Sequence, residues 1–320
     1  MRKLILYQII LLAFLGCSKD DDKRLTQWES LTIPTNQTII DIDFYNDNFG
    51  IAVVPIGNLL RTTDGGNSWK EISIVTDENF MSCYALSNEQ IFVGRNRFFK
   101  SNDGGDNFKE LGQDQIDYSS SIFGIYFYNS QIGVVLKGSS LYKTTDGGQN
   151  WTVKYPYFGS SSLMEVLEQT IYLAGGITFD NVAYGEMHKS IDGGDTWQKI
   201  NLPTEIRNSQ ITAINFLTSD IGYISTFENK IFKTIDGGNR WKKISKLTFG
   251  IVSDMDFENV NSGYLTSNNK IYRTNDGGVT WTIDFESNEE VFYIERTPNN
   301  TVFVTGRNGV ILRKNNILKN

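Results

Sequence analysis

One nine-residue string, called the box below, occurs six times in this 320-residue chain. It reads basic residue, Ser or Thr, any residue, Asp-Gly-Gly, two more residues and an aromatic ring. Its aspartates are spaced 39 to 46 residues apart, which suits one four-stranded propeller blade per copy. They are Asp64, Asp103, Asp146, Asp192, Asp236 and Asp276, and the rings are Trp69, Phe108, Trp151, Trp197, Trp241 and Trp281. The chain is therefore predicted to be all-β.

Alternating apolar and polar residues place four strands in each unit, most clearly in the fifth. These are Ile211–Phe216, Gly222–Thr226, Lys230–Thr234 and residues 241–245. The Asp-Gly-Gly then lies in the turn between the third and fourth strands. Glycine accepts positive φ there, and the carboxylate accepts hydrogen bonds from turn amides. The Ser or Thr hydroxyl of the box can add another hydrogen bond, and the aromatic ring can fold back over the hairpin. We interpret the box aspartates and rings as structural.

The two ends of the chain predict how the ring closes. After the sixth box come strands at residues 291–296, 301–305 and 310–314, with no seventh box. At the other end, residues 26–33 look like an orphan fourth strand. We therefore predict that they pair with residues 310–314 and close seven blades over residues 26–316, because a closed ring hides its sheet edges. Residues 317–320 are a tail.

The first residues indicate export. Two basic residues precede an apolar run at residues 4–15, the size of a signal-peptide core and too short to span a membrane. Residues 14–17 end in Gly16-Cys17 and resemble the lipobox of bacterial lipoproteins, with Phe14 a departure from the usual residue. Residues 1–16 are thus interpreted as a signal peptide, Cys17 as the lipidation site and residues 17–25 as a charged tether. The charged stretch resembles the tags of surface-exposed Bacteroidetes lipoproteins, which implies an exported, lipid-anchored protein of the outer membrane, periplasmic or surface-exposed. A plain secretory signal is the alternative.

The boxes resemble the Asp boxes, or bacterial neuraminidase repeats, of sialidases, some endoglucanases and sortilin-type receptors. With seven units in one domain, the chain is most similar to the propeller family typified by the photosystem II assembly and stability factor. That resemblance implies a binding platform rather than a catalyst. The lipoprotein-like start argues against a photosystem as the client.

Composition excludes several function classes. The formal net charge of −7 disfavours nucleic acid as a partner. One histidine and two cysteines cannot build a disulfide framework, a Cys-rich zinc site or a multi-histidine metal centre. No cofactor and no metal ligand set is predicted. Cys83 and His188 are expected to be packing residues, and so are the stems of the basic residues that open each box.

An enzyme of the sialidase type is the alternative function. Sialidases use an arginine cluster and an early Arg-Ile-Pro motif, and the nearest string here, at residues 31–34, has no arginine. Spacing does not indicate that Arg207, Arg240 and Arg296 converge. A glycan-binding or glycoside-hydrolysing propeller using two carboxylates stays open, and no catalytic residue is assigned.

The face where inner strands begin is the predicted ligand face. Acidic residues of blades one, six and seven are expected to form one acidic mouth: Asp41, Asp43, Asp254, Asp256 and Glu295. Such a mouth favours a Lys- or Arg-rich segment of an envelope protein or peptide, or a metal ion; the alternative is solvated carboxylates that point apart. Loop aromatics add contact area or simply hold the loops in place: Tyr118, Tyr157, Phe158, Phe179 and Tyr184. The last two lie in residues 175–186, expected to be the longest link between second and third strands. A monomer is expected.

Overall fold

The computed structural model describes residues 28–55, 57–74, 79–112, 120–155, 161–179 and 182–314, with the backbone alone at 161–162, 177–179 and 182–183. Within these residues the chain forms seven antiparallel sheets of four strands each. This confirms the seven-bladed all-β prediction. Cys17, the signal peptide and the tether lie outside the described residues, as do residues 317–320.

Each blade runs from the central channel outward, and strands are numbered along the chain. The innermost strands are β2 (Asp41–Phe44), β6 (Ser82–Ala85), β10 (Ile122–Phe127), β14 (Ser161–Leu167), β18 (Ile211–Phe216), β22 (Asp254–Phe257) and β26 (Val291–Arg296). The second strands are β3 (Gly50–Val54), β7 (Ile91–Gly94), β11 (Gly133–Lys137), β15 (Thr170–Phe179), β19 (Gly222–Thr226), β23 (Gly263–Ser267) and β27 (Val302–Gly306).

The outer half of each blade follows the same order. The third strands are β4 (Asn58–Thr62), β8 (Phe98–Ser101), β12 (Ser140–Thr144), β16 (Val182–Ser190), β20 (Lys230–Thr234), β24 (Lys270–Thr274) and β28 (Ile311–Lys314). The fourth strands are β5 (Lys70–Ser73), β9 (Lys109–Leu111), β13 (Thr152–Tyr155), β17 (Gln198–Lys199), β21 (Lys242–Lys246), β25 (Thr282–Glu286) and, in blade seven, β1 (Glu29–Ser30). A short helix, α1 (Thr204–Arg207), precedes blade five, and a 3₁₀ turn at Arg307–Gly309 precedes β28.

The N-terminal strand closes the ring as predicted. Glu29 pairs with Arg313 and Ser30 with Leu312, so the described pairing is shorter than the predicted segment. Trp28 is buried against Tyr264 of blade six, and its indole N–H donates to Asp284 Oδ2 at 2.7 Å. The N terminus thus completes the sheet that the C terminus begins, and no blade is left with a missing outer strand.

The core lies between neighbouring blades. Second strands are buried along their length, as β3 and β11 show. Their side chains pack against inner strands and box rings; Tyr172 stacks on Phe216 with ring centroids 3.7 Å apart, and Trp241 meets the same ring edge-on. Among the described residues no helix is long and apolar enough to cross a bilayer.

The predicted link at residues 175–186 is wrong in its secondary structure. Strands β15 and β16 continue through it as one long hairpin, and Gly176 pairs directly with Gly185. Helix α1 packs against this hairpin so closely that a Cβ at Gly185 would lie 2.5 Å from the Ile206 carbonyl. Glycine is needed here for close approach of two backbones, although glycines in sequence suggest a turn.

Candidate binding site at the channel mouth

Each inner strand places one side chain at the same level of the central channel. The strand register defines this level, because in every blade the residue concerned pairs with the same position of the second strand. The seven side chains, called the channel ring below, are Asp43, Tyr84, Tyr126, Glu165, Asn215, Asp256 and Glu295. Four of the seven are carboxylates, so the ring is acidic.

A second level lies nearer the ligand face, since inner strands begin there. Asp41 and Asp254 open β2 and β22, and Tyr293 is the equivalent residue of β26. The cavity here is about 410 Å³ and is lined by residues of blades one and three to seven. The structure therefore brings Asp41, Asp254, Asp256 and Glu295 together around one cavity, and Asp43 lies on the adjoining level of the ring.

Backbone amides of the next blade hold most of these carboxylates. The Cys83 N–H donates to Asp41 Oδ2 at 2.9 Å, and the Ala85 N–H to Asp43 Oδ2 at 2.5 Å. The same link recurs in blade six, where the Ile294 N–H donates to Asp254 Oδ2 at 2.9 Å. The acidic side chains therefore also fasten one blade to the next.

Three residues of the channel ring that sequence reasoning missed make equivalent links. Glu165 accepts from the Phe216 N–H at 3.2 Å, and Asn215 accepts from the Phe257 N–H at 3.1 Å. The Tyr84 hydroxyl donates to the Phe127 carbonyl at 3.0 Å. Of these three, only Asn215 carried a signal in the sequence, because it directly precedes the phenylalanine that ends its strand, as Asp43 and Asp256 do.

Burial dominates the electrostatics of the mouth. It raises the pKa of Asp41 and of Asp254 to about 7 and that of Glu165 to about 8, against the lowering effect of the amide bonds. Burial and then the neighbouring carboxylates raise the pKa of Glu295. Near neutral pH the carboxyls of the cluster are therefore only partly ionised, and they exchange protons with bulk water.

One cation compensates part of this charge. Arg296 donates from Nε to Asp256 Oδ2 at 2.7 Å, and its Nη2 bonds the same oxygen. Among the described residues that line the cavity it is the only Lys or Arg. It does not meet the other arginines considered for a sialidase site, because Arg207 lies on α1 and Arg240 pairs with Asp236 at a box. The arginine cluster of a sialidase is absent from the described residues.

Aromatic and apolar groups border the mouth. Tyr293 and Phe123 line it and are 40% and 38% exposed. A second cavity of about 290 Å³, lined by Ile39, Ile40 and Phe292 among others, shares Ser253 and Tyr293 with it. The surface thus offers an anionic pocket beside an apolar one.

Of the predicted loop aromatics, only Tyr184 has a described side chain, and it does not line this mouth. Tyr184 lies in a separate cleft of about 620 Å³ between the blade-four hairpin and α1, together with Lys199 and Arg207. Tyr118, Tyr157 and Phe158 lie outside the described residues, and the side chain of Phe179 is not described.

The boxes form the opposite end of the propeller. In the first, the Thr62 hydroxyl donates to Asp64 Oδ1 at 2.9 Å and accepts from the Gly66 N–H at 2.8 Å, while the Ser68 N–H donates to Asp64 Oδ1 at 2.9 Å. Hydrogen bonds lower the pKa of every box aspartate, those of Asp103 and Asp192 to about 2. The box rings cover the hairpins, as the Trp151 indole N–H shows by donating to the Gly148 carbonyl at 3.0 Å.

The basic residue of a box reaches the next blade. Arg61 bonds the Gly104 carbonyl of the second box, and Arg313 bonds the Gly65 carbonyl at 2.8 Å. Cys83 and His188 are buried, as expected for packing residues. Within the described residues, no group of three His, Cys, Asp or Glu side chains is placed to hold a metal ion.

Comparison with known proteins agrees with this architecture. The family described as photosynthesis system II assembly factor YCF48 matches residues 21–174. The chain is a seven-bladed propeller that is similar to photosystem II assembly factors. The photosystem II assembly lipoprotein Ycf48 of Nostoc sp. is 26% identical over 159 residues, which cover 47% of this chain and 46% of that protein. The match thus spans about half the length of this relative. The Ycf48 of Picosynechococcus sp. is 24% identical over 61% of this chain and 58% of its own.

Solved structures show the same fold. A structure described as YCF48 bound to D1 peptide superposes with a TM-score of 0.76 over 90% of this propeller and 95% of that chain, at 20% identity. The GH74 enzyme of Niastella koreensis superposes with a TM-score of 0.64 at 18% identity, over 87% of this chain and 52% of its own. At these identities the likeness concerns the fold, whereas the named sequence relatives are assembly factors and not enzymes.

Proposed function

We propose that this propeller is a membrane-tethered binding protein that holds a protein or peptide segment of the cell envelope at its channel mouth, as an assembly or stability factor. The observation that carries this proposal is the excess of buried carboxylates over cations in an open cavity. A Lys or Arg side chain entering the mouth supplies the missing positive charge, so we expect it to bind there.

The residues that border the mouth narrow the chemistry expected of the ligand. The ring of Tyr293 suits a cation, because aromatic faces attract ammonium and guanidinium groups. The adjoining cavity beside Ile39 and Phe292 suits an apolar side chain. We therefore expect a segment in which a basic residue follows or precedes an apolar one. The relatives support a peptide ligand, since one is described as bound to D1 peptide and others are named assembly lipoproteins.

The anchor belongs to the same proposal. The relatives' names, together with Gly16-Cys17, support an exported protein held by a lipid at Cys17. The outer membrane is its expected place, because the charged stretch after Cys17 resembles the tags of surface-exposed lipoproteins. The negative charge and the buried carboxylates support a basic protein segment over nucleic acid.

The test is a titration of the full chain with acetylated pentapeptides that carry a central Arg, Lys, Gln or Glu next to Leu or Gly. Tight binding is expected for Arg or Lys beside Leu. Asp41→Asn with Asp254→Asn keeps an oxygen for the Cys83 and Ile294 amides and removes two charges, so it should weaken binding at least about tenfold.

A matched control removes the same charge elsewhere. Glu89→Gln with Asp220→Asn changes two exposed acids in turns at the box end and should leave affinity unchanged. Equal loss in both double variants, or equal affinity for the Glu peptide, contradicts the proposal. Crosslinking of the native lipoprotein in its own membranes then identifies the client.

A further inference from the structure

The box end carries aliphatic side chains that the turns themselves do not need. Ile191 and Ile235, at the third position of the boxes of blades four and five, are 70% and 72% exposed. Val279 in the box of blade six is 53% exposed. In the first three boxes the third position is polar: Thr63, Asn102 and Thr145. At the third box position, blades four and five therefore differ from blades one to three in what they present to solvent.

These side chains follow one another along the rim. Lys189, two residues before Ile191, donates to the Gly237 carbonyl in the next box at 3.3 Å. Lys233, two residues before Ile235, reaches the Val260 carbonyl of blade six at 3.5 Å. Val260 is itself 42% exposed. We call Ile191, Ile235, Val260 and Val279 the aliphatic arc. Single exposed apolar residues are common, but a row of them at turn tips indicates a contact surface.

The N-terminal segment arrives at the same end of the molecule. Fourth strands begin at the box end because the box turn precedes them, and β1 is the fourth strand of blade seven. Arg313, the partner of Glu29, contacts the first box. Blade seven adjoins blade six, the last blade of the arc. Trp28 lies eleven positions after Cys17, a reach of at most about 40 Å.

We propose that the aliphatic arc docks on the lipid surface to which the chain is tethered. This inference rests on the lipid anchor of the proposed function. The arc inserts its aliphatic side chains between lipid headgroups, and the channel mouth on the opposite end faces away from the bilayer. Charges of both signs lie beside the arc, as where Arg240 pairs with Asp236 next to Ile235, so apolar burial holds it and not attraction to anionic lipid. Docking is therefore expected on zwitterionic bilayers, with little dependence on salt.

The test uses the full lipidated chain in phosphatidylcholine vesicles that carry a bilayer-embedded quencher. A fluorophore is attached at Ile235→Cys, at Asn102→Cys in the box of blade two, or at Glu228→Cys on the ligand face. Cys83 is buried and does not compete for the label. The label at 235 should be quenched most strongly, the one at 228 least, and salt should change neither.

A matched pair of variants locates the effect. With the label at Val279→Cys, Ile191→Asp with Ile235→Asp should lower the ratio of docked to undocked molecules at least about tenfold per residue. Thr63→Asp with Asn102→Asp adds the same charge at the same turn position and should leave the ratio unchanged.

Flotation of the vesicles separates the two proposals. If the chain floats with the vesicles but position 235 is quenched no more than position 228, docking is wrong and the anchor stands. If the chain does not float, both the anchor and the docking are overturned. Quenching that depends on protein density and not on the lipid quencher assigns the arc to a second copy of the chain and also overturns lipid docking.

Discussion

Two sets of aspartates occupy the two ends of this propeller and behave in opposite ways. Those of the boxes are exposed or half-buried, and hydrogen bonds from their own turn lower their pKa values. Those of the channel are half-buried between the inner strands of neighbouring blades, and this desolvation raises their pKa values although they too accept backbone amides. Asp64 accepts three hydrogen bonds within its box, whereas Asp41 and Asp254 accept two backbone amides each. In the channel the removal of water decides the direction, because it disfavours the charged form more than two amide donors favour it.

The channel should therefore make stability depend on pH, which is the largest expected effect. Folding raises the pKa of Asp254 from 3.8 to about 7, so the folded chain binds more protons than the unfolded chain between these values. The contribution is fully present below about pH 4 and is lost as the pH rises through 7. Asp254→Asn should flatten this fall by on the order of 2–4 kcal/mol in the free energy of unfolding. Denaturant titrations from pH 5 to 8 measure the free energy of unfolding. If it falls equally with pH in the variant and the parent, the raised pKa of Asp254 is contradicted.

The box depends on hydrogen bonds within its own turn instead. Thr62→Val removes a buried hydroxyl and leaves the Gly66 N–H without its acceptor, so the free energy of unfolding should fall by about 1–3 kcal/mol throughout the range from pH 5 to 8. Thr63→Val, at the exposed neighbouring position, is the control and should change little. A similar loss in both variants shows that the turn responds to β-branched apolar residues and not to the lost bond.

Ligand binding should follow the protonation of the mouth. Asp41 and Asp254 must ionise to attract a cation, and their pKa values lie at about 7. Affinity for the Arg peptide should therefore rise about tenfold from pH 6 to 8 and release protons. Calorimetry in buffers of different ionisation enthalpy measures the release. If the affinity for the Arg peptide is constant over this range, the carboxyls with raised pKa values do not take part in binding.

The smallest effect is expected in the acid range, from the boxes. The pKa of Asp103 is lowered to about 2, so its contribution is present above about pH 4 and is lost as the pH falls towards 2. Asp103→Asn should slightly reduce the loss of stability below pH 4 and leave the fall between pH 5 and 8 unchanged. If Asp103→Asn instead changes the pH dependence of stability between pH 5 and 8, the two ends of the blade are energetically coupled and the prediction is wrong.

The fold was predictable because its signals are local and repeated. The box marks the third turn of each blade, and alternation in the fifth unit predicts strands that agree with β18, β19 and β20 residue for residue. Closure followed from an orphan strand that begins with a tryptophan, and Trp28 packs as the box rings do. The hairpin at residues 175–186 was missed because glycine signals a turn and also permits close backbone contact, which depends on α1.

The site was predictable only in part. Asp-x-Asp-Phe in blades one and six shows which side chains alternate toward the channel. Glu165 has no such pattern, since Leu163, Met164 and Val166 surround it. How deeply any carboxyl is buried depends on seven blades meeting around one axis, and no local stretch of sequence contains that information.

The closing strand has a mechanical consequence. Any pull on the segment before Trp28 is carried first by the Trp28 bond with Asp284 of blade six. The load then passes to β1, which pairs with β28 through Glu29 and Ser30 and adds the ion pair of Glu29 with Arg313. Arg313 in turn bonds the Gly65 carbonyl of blade one. The same short strand therefore connects the N-terminal segment to the propeller and closes the ring, and a force strong enough to peel it away would open the ring at this closure.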